Sequence, residues 1–471
     1  MHQIDKIYIN GEFVTPRGSA LFDLYNPATG MVNGQVRLAN RDDAQKAIAA
    51  AKAAFPAFSQ NTKETRLALL QRLYDAVVAR ADDISAAVVE EYGGPVSMMS
   101  QWTKMAAQNF LDMAETLGSY DFTQKIRASD VVMTPIGVVG VIIPWNSNVG
   151  FITSRLATAI AAGCCTVIKP SEMSALQTHI LCESLHLAGL PKGVLNVVTG
   201  TGIEVGAEIA RNPDVAKISF TGSTAVGKDI LRASADTMKR VTLELGGKSP
   251  KIILDDADLD AAVPLVLAAG FLNSGQACIA GTRVLVAREK HDELAQKLIA
   301  AMNDIVVAEP TDPASRIGPM VSRKQYERVQ GYIIKGIEEG ADLLAGGPGH
   351  PEGLGGCFVR PTLFGDVDNA MTIARDEIFG PVLCLIPYED EEQAITIAND
   401  TDYGLAAYVM SSDPARAGRV AERIDAGRVC INGFQHEPQA PFGGFKQSGI
   451  GRQYGVHGLE SHLEPKVIMG R

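Results

Sequence analysis

Long apolar runs, long basic runs and the usual cysteine and histidine spacings are all missing from this 471-residue chain. The longest apolar stretches, near 138–145, 156–168 and 261–272, fall short of the roughly 18 residues needed to cross a bilayer. The start, MHQIDKIYINGEF, carries acidic and polar residues where a signal peptide needs an apolar stretch. No membrane association is expected, and the expected location is cytoplasmic. A formal net charge of -11 without a basic run argues against a nucleic-acid partner. The seven cysteines include the adjacent pair Cys164-Cys165 but no C-x-x-C spacing, so neither a disulfide framework nor a zinc cluster is indicated. The eight histidines are scattered, with no H-E-x-x-H and no triad-like grouping. That removes the support for zinc hydrolysis and for Ser–His chemistry, and no metal is expected. Internal repeats and low-complexity segments are absent too.

What remains has the balance of a soluble globular protein, 46% hydrophobic and 21% charged. Its length suggests about three domains. A short strand and turn are expected at 8–13 and a second turn at 26–30, where Asn-Pro-Ala-Thr-Gly stands. An alanine-rich helix is expected over 42–58. A second helix opens with Asn61…Glu64, read as a capping box, and carries helical spacing from Leu67 through Val89 until Gly93-Gly94-Pro95 breaks it. A further helix follows over 96–117.

From Val138 the pattern becomes a regular alternation. Strands are expected over 138–143, 165–168, 195–198, 217–220 and 241–244, with helices over 149–162, 174–188, 203–211 and 224–234 between them. Strands that alternate with helices pair in parallel, and such a sheet binds ligands beyond the carboxyl ends of its strands. The residues after each strand therefore form a set: Pro144-Trp145-Asn146, Lys169-Pro170-Ser171-Glu172, Gly200-Thr201-Gly202, Thr221-Gly222-Ser223 and Glu244-Leu245-Gly246-Gly247. They are rich in Gly, Ser, Lys and carboxylate, as a nucleotide site is, although strand ends are also where turn residues collect. A second α/β region follows, with strands over 251–254, 283–286, 382–386, 407–410 and 429–431 and helices over 259–272, 291–304, 323–339, 391–399 and 414–425. Residues 341–357 are glycine-rich and read as a surface loop. The tail, 463–469, has the apolar content of a strand.

The stretch FLNSGQACIAGTRVLV, 271–286, places one cysteine, Cys278, on a small-residue loop between a helix and a strand. A thiol there is open to substrate and within reach of backbone N–H groups, as a nucleophilic thiolate requires. Free cysteine is also among the most buried residue types, so Cys278 stands out only by its company. Glu244, closing a strand ahead of two glycines, serves either as a general base or as a structural acceptor of backbone N–H bonds. Asn146 either points an amide at a developing oxyanion or is a plain turn asparagine. Glu377, in Glu-Ile-Phe-Gly-Pro, either meets a ribose or belongs to an ordinary strand-entry turn. Gly222 to Lys228 matches most of a P-loop, but Asp229 stands where the Mg²⁺-binding hydroxyl belongs, which excludes a nucleotide triphosphatase. The same loop still offers a helix N-terminus to a diphosphate.

In combination the motifs are far more specific. PWN (144–146), KPSE (169–172), FTGSTAVGK (220–228), LELGGKSP (243–250), GQAC (275–278), EIFGPV (377–382) and PFGGFKQSG (441–449) occur in this order and at this spacing. The chain resembles the NAD(P)-dependent aldehyde dehydrogenase superfamily, of the hydrolytic, non-acylating type, over essentially its whole length. The resemblance implies an α/β fold with two Rossmann-like parallel-sheet domains and a small β oligomerisation arm. It assigns 1–117 and 136–246 to NAD binding, 247–460 to catalysis and 118–135 with 461–471 to the arm, in a homodimer or homotetramer. Cys278 would attack the aldehyde, with the Asn146 side chain and the Cys278 N–H holding the oxyanion. Hydride transfer to NAD would leave a thioester, and Glu244 would activate the water that hydrolyses it. Lys169 and Glu172 match the adenine-side ribose positions, Ser223 the diphosphate and Glu377 the nicotinamide ribose. Ile142, Trp145, Gly202, Gly206, Val226 and Phe379 match other cofactor-lining positions. NAD is the expected cofactor and NADP the weaker alternative, because a carboxylate at Glu172 bonds a ribose diol and repels a 2′-phosphate. Two alternatives stand beside this reading: a coenzyme A-acylating dehydrogenase, against which Glu244 argues, and a catalytically silent cofactor-binding structural protein.

Three departures from the family pattern bear on the aldehyde. Ser147-Asn148 follow PWN where Phe-Pro is frequent, and Ser154-Arg155 stand where an aromatic–Lys pair is common. Phe434-Gln435-His436-Glu437 precede PFGG. A more polar or less constricted substrate entrance is the expectation.

Overall fold

The computed structural model describes residues 1–470. Two large sheets organise it. The first has eight strands, and its centre is the expected set of five: Val138–Ile142, Cys165–Lys169, Leu195–Val197, Lys217–Thr221 and Arg240–Glu244. All neighbouring pairs among these five are parallel. The first four are buried along their whole length, as a sheet covered by helices on both faces requires. In space the five run fifth, fourth, first, second, third. The order reverses between Val138–Ile142 and Lys217–Thr221, so a crevice opens beyond their carboxyl ends, where Trp145-Asn146 and Gly222-Ser223 follow.

Antiparallel strands close both edges of this sheet. At one edge Ile7–Ile9 and Glu12–Val14 form a hairpin. Its two-residue turn is Asn10-Gly11, both at positive φ (56° and 77°), the backbone that Asn-Gly adopts most readily. At the other edge Gly449–Ile450 pairs with Arg240–Glu244. This last contact draws a segment from near the C-terminus onto the strand that ends in Glu244.

The second sheet has seven strands: Asp342–Ala345, Thr362–Gly365, Val382–Tyr388, Arg283–Ala287, Pro250–Ile253, Ala406–Met410 and Arg428–Ile431, in that spatial order. Only the first is antiparallel. A separate three-stranded sheet joins Thr123–Ile126, Ser129–Pro135 and the tail strand Leu463–Met469. Among the described residues, no helix is long and apolar enough to cross a membrane.

Several local expectations need correction. The helical spacing from Leu67 to Val89 is carried by two helices, Lys63–Ala79 and Ala81–Tyr92, hinged at Arg80. The first is capped by Thr62 rather than Asn61, with the Thr62 side chain accepting from the Thr65 N–H. Periodicity survived because both helices pack the same apolar face inward. The helix expected over 203–211 starts as a π-turn, Gly202–Gly206, before the regular turn Ala207–Arg211; π-turns in such places are frequent at functional sites. The glycine-rich 341–357 contains the strand Asp342–Ala345, in which Leu344 and Ala345 pack against the core while Leu343 stays exposed. A three-stranded sheet of His2–Ile4, Val32–Arg37 and Leu21–Tyr25 was not anticipated.

Candidate active site

Cys278 sits at the end of a loop that local sequence alone would not hold. The helix Leu259–Gly270 runs into a tight turn, Leu272–Gly275, in which Asn273, Ser274 and Gly275 all have positive φ (55°, 57° and 76°). Non-glycine residues in that region carry strain, which persists only where the surroundings impose it. Here they do. The Asn273 amide donates to the carbonyls of Asn146 (3.0 Å) and Gln276 (3.2 Å). Gln276 donates to the Tyr92 hydroxyl (3.2 Å) and accepts from the Val321 N–H (2.9 Å), and the Ser274 hydroxyl accepts from the Gly318 N–H (3.0 Å). Gly275 lies so close to Gly380 that any Cβ would collide with its backbone at 2.2 Å. The Cys278 carbonyl leaves no room for a Cβ at Gly247 either (2.4 Å). The glycines of GQAC and LELGGK are thus required by close backbone contact.

Asn146 is buried beside this loop. Its amide donates one N–H to the Gln276 carbonyl at 3.1 Å, which fixes the side chain and leaves the second N–H for another acceptor. Glu244 ends its strand 3% exposed, and neither carboxylate oxygen has a hydrogen-bond partner. Burial raises its pKa from 4.5 to about 8, against the opposing charges of Arg155 and Arg452. A Cβ on Gly443 would come within 3.0 Å of Glu244 Oε1, so this glycine keeps space open beside the carboxylate. Burial likewise pushes the Cys278 thiol up to about 12, helped by Glu377 and Glu244. Its own backbone N–H and Arg428 act the other way. The sulfur therefore rests as a neutral thiol and needs a base to ionise.

A cavity of about 940 Å³ opens on this cluster. Of the residues singled out from sequence, Trp145, Asn146, Ser223, Glu244, Cys278, Glu377 and Phe379 line it together. Glu377 is anchored there by the Gly247 N–H (3.0 Å) and is raised to about 7 by burial. Phe379, at positive φ (62°), meets the Trp145 ring edge-on at 5.5 Å. Ser223 caps the helix Thr224–Ala235, its hydroxyl accepting from the Val226 N–H. Ile142, Lys169, Glu172, Gly202, Gly206 and Val226 are not in the cavity wall. They continue along the carboxyl edge of the same sheet: Ile142 and Lys169 end neighbouring strands, and a Cβ on Gly206 would lie about 4 Å from both. Lys169 pairs with Glu172 at 3.1 Å. The edge thus runs from the strand that ends in Glu244, beside Cys278, to a lysine–carboxylate pair three strands away, with a helix N-terminus between them that suits a diphosphate.

The chain matches the model of the Aldehyde dehydrogenase family over residues 13–468. The chain belongs to this family. It is 43% identical to a 3-succinoylsemialdehyde-pyridine dehydrogenase of a Pseudomonas species, covering 100% of this chain and 99% of that one. A solved structure of an aldehyde dehydrogenase C mutant from Pseudomonas syringae, complexed with NAD+ and octanal, superposes with a TM-score of 0.98. It is 42% identical, covering 100% of this chain and 98% of that one. An NAD+ complex of an aldehyde dehydrogenase from Bacillus cereus has a TM-score of 0.96 and 38% identity, covering 99% and 96%.

This aldehyde dehydrogenase also gathers residues that the motifs did not announce. Gln325 and Arg328, on the helix Arg323–Glu338, line the cavity, and Arg328 donates to the Glu377 carbonyl at 2.6 Å. Phe22 to Pro27 also line it. Arg155, noted only as a departure, proves to be the largest charge opposing the burial of Glu244. No local pattern marks these residues, whose roles come from elements far apart in sequence. Of the residues before PFGG, Gln435, His436 and Glu437 are exposed, while the Phe434 ring stacks on Tyr408 at 5.7 Å.

Proposed function

We propose that this aldehyde dehydrogenase oxidises an aldehyde to the carboxylic acid with NAD, using Cys278 as nucleophile, Asn146 as oxyanion donor and Glu244 as general base. The observation that carries the reading is Glu244, a buried carboxylate with two unpartnered oxygens beside the cavity that holds Cys278. Buried polar atoms are nearly always bonded, and the exceptions gather where a group must exchange protons. The site residues fit NAD: the Ser223-capped helix N-terminus suits a diphosphate, and Glu377 and the Lys169–Glu172 pair suit the two riboses. When bound, NAD supplies the hydride acceptor.

The protein's own part follows from protonation states. With the thiol near 12 and Glu244 near 8, Glu244 takes the thiol proton as the sulfur adds to the carbonyl carbon. The free Asn146 N–H and the Cys278 N–H meet the oxygen that gains charge. After oxidation to the thioester, Glu244 passes the thiol proton to solvent, takes a proton from the attacking water, and returns it to the Cys278 sulfur as the carbon–sulfur bond breaks and the acid leaves. We assign 1–117 and 136–246 to cofactor binding, 247–460 to catalysis, and 118–135 with 461–471 to an arm that joins subunits in a homodimer or homotetramer. The exposed apolar side chains of Ile126, Val467 and Met469 suit such a contact. A cytoplasmic location accords with this activity.

The test is NADH formation from a panel of aldehydes, with and without coenzyme A, and with NADP in place of NAD. Acid release that is independent of coenzyme A supports the hydrolytic reading. Turnover only with coenzyme A selects the acylating one, and no turnover on any aldehyde removes both.

A further inference from the structure

Asn273, Ser274 and Gln276 hold the upstream half of the Cys278 loop, but the residues that carry the sulfur are held differently. Ala280 donates its N–H to the Ala277 carbonyl at 3.0 Å, which closes a β-turn with Cys278 and Ile279 at its centre. Ala277, Cys278 and Ile279 are only partly covered, so packing alone does not fix this turn. Its backbone has to be held from outside. Among the described residues, the one side chain that hydrogen-bonds the backbone of 277–281 is Tyr408, whose hydroxyl donates to the Ile279 carbonyl at 2.8 Å.

The Tyr408 ring is fixed independently of that bond. It stands on the strand Ala406–Met410, next to the edge strand, and is fully buried. Phe434 stacks on the ring at 5.7 Å, and the Lys251 ammonium lies 5.0 Å from its centre. Gly281 lets the chain pass close to the ring, since a Cβ there would come within 3.0 Å of it. Burial pushes the pKa of the hydroxyl well up, against the nearby Arg428 guanidinium, so it keeps its proton and stays a donor. We infer that Tyr408 is a positioning residue, whose hydroxyl sets the Cys278 turn so that the Cys278 N–H and the Asn146 N–H converge on one oxygen. The first N–H travels with the sulfur, whereas Asn146 stands on another element, after the strand Val138–Ile142. A turn released from Tyr408 shifts one donor against the other, and an oxyanion is stabilised only by donors already in place where its oxygen will lie. This assignment rests on the aldehyde-oxidising reading above and adds a residue to it.

The experiment measures the pre-steady-state rate of NADH formation, at saturating NAD and aldehyde, in Tyr408→Phe. This variant keeps the ring and deletes the hydroxyl. The rate should fall roughly 3- to 10-fold, the rate equivalent of one hydrogen bond, with KM for NAD unchanged. In an Asn146→Ala background the same change should cost almost nothing, because the register between two donors ceases to matter once one is gone. Tyr388→Phe is the comparison for stability. Its hydroxyl makes the same kind of bond, to the Ile253 carbonyl at 2.8 Å, at the opposite end of the parallel strands from the Cys278 turn. That variant should lower the melting temperature as Tyr408→Phe does while keeping the wild-type rate. An unchanged rate in Tyr408→Phe overturns the inference and leaves Tyr408 a packing residue. So does a loss of equal proportion with and without Asn146, a loss confined to KM for NAD, or a matching loss in Tyr388→Phe. A wild-type enzyme that forms no NADH with any aldehyde removes the enzymatic reading itself, which is a distinct result.

Discussion

Glu244 and Glu377 flank the same sulfur, yet their surroundings are built to opposite ends. Glu244 is buried and Glu377 half-buried, and both are raised, to about 8 and about 7, chiefly by loss of water. Glu377 is tied down: the Gly247 N–H bonds one oxygen, and Arg328 and Lys248 oppose the burial from nearby. Glu244 has no hydrogen bond, and its two arginines act through space. A carboxylate that must accept a proton needs vacant lone pairs and a pKa near the working pH. One that only receives a ligand's hydroxyls gains from being fixed. The difference between the two pockets therefore fits the proposed roles, Glu244 as base and Glu377 as docking point, although both residues are glutamates beside glycines.

Removing the sulfur that both carboxylates face gives the largest effect. Cys278→Ala should abolish dehydrogenase turnover while NAD still shifts the melting temperature; residual turnover at saturating aldehyde would move the nucleophile elsewhere. Next comes Glu244→Gln. Steady-state turnover should fall roughly 10²–10⁴-fold, the range for loss of a general base. Where Glu244 serves mainly the hydrolytic half, a rapid burst of NADH persists and mass spectrometry finds the acyl group on Cys278. A burst slowed in proportion assigns it to thiol activation as well. The same change carries a stability signature. The folded pKa of Glu244 lies above its ordinary 4.5, so its contribution is fully present below that value and is lost as pH rises through about 8. The melting temperature of Glu244→Gln relative to wild type should therefore climb between acid and alkaline pH. Glu377→Gln should act differently again, lowering kcat/KM for NAD roughly 10- to 100-fold, as for lost bonds to a charged group, with the burst still formed at saturating NAD. If the two glutamine variants gave the same kinetic pattern, the contrast between base and docking point would collapse.

How far the sequence could carry this contrast depends on how far apart the contacts lie. The five parallel strands were legible because each is short, apolar and bounded by helices, and the residues at their carboxyl ends could be read as a set on that basis alone. The positive-φ turn before Cys278 was not legible. Its strain is held by contacts from Asn146 and from Gly380, separated from it by about a hundred residues or more, and no local pattern encodes them. The single helix read across 67–89 shows the same limit from the other direction. Periodicity reports which face is buried, and two helices burying one face look like one. Glu244 was readable as a carboxylate at a strand end, but its unpartnered state was not. That depends on Gly443, which leaves room, and on Arg155, which supplies charge without contact.

Arg155 offers the finest test, because its effect on Glu244 runs through the field alone. The guanidinium is 2% exposed, and it donates from Nη1 to the Ser154 hydroxyl (2.8 Å) and from Nη2 to the Thr221 hydroxyl (3.3 Å). Nε has no partner, and the ring of Phe151 lies 4.9 Å away. A positive charge in a buried site favours the ionised form of a nearby carboxylate, so it holds Glu244 below the value that burial alone would set. Without it, the fraction of Glu244 ready to act as base at neutral pH shrinks. Arg155→Met should move the acid limb of kcat/KM for the aldehyde to higher pH. A limb displaced by about one unit means a loss on the order of tenfold at pH 7, recovered when the pH is raised. Arg155→Lys should hold the limb near its original place while the lysine stays charged. Packing alone cannot produce this pattern: a variant that merely loosened the helix under Phe151 would lower the rate equally at every pH. An unmoved limb in Arg155→Met would therefore leave Arg452 as the charge that sets Glu244, and Arg155 as a filler of the space between Phe151 and Thr221.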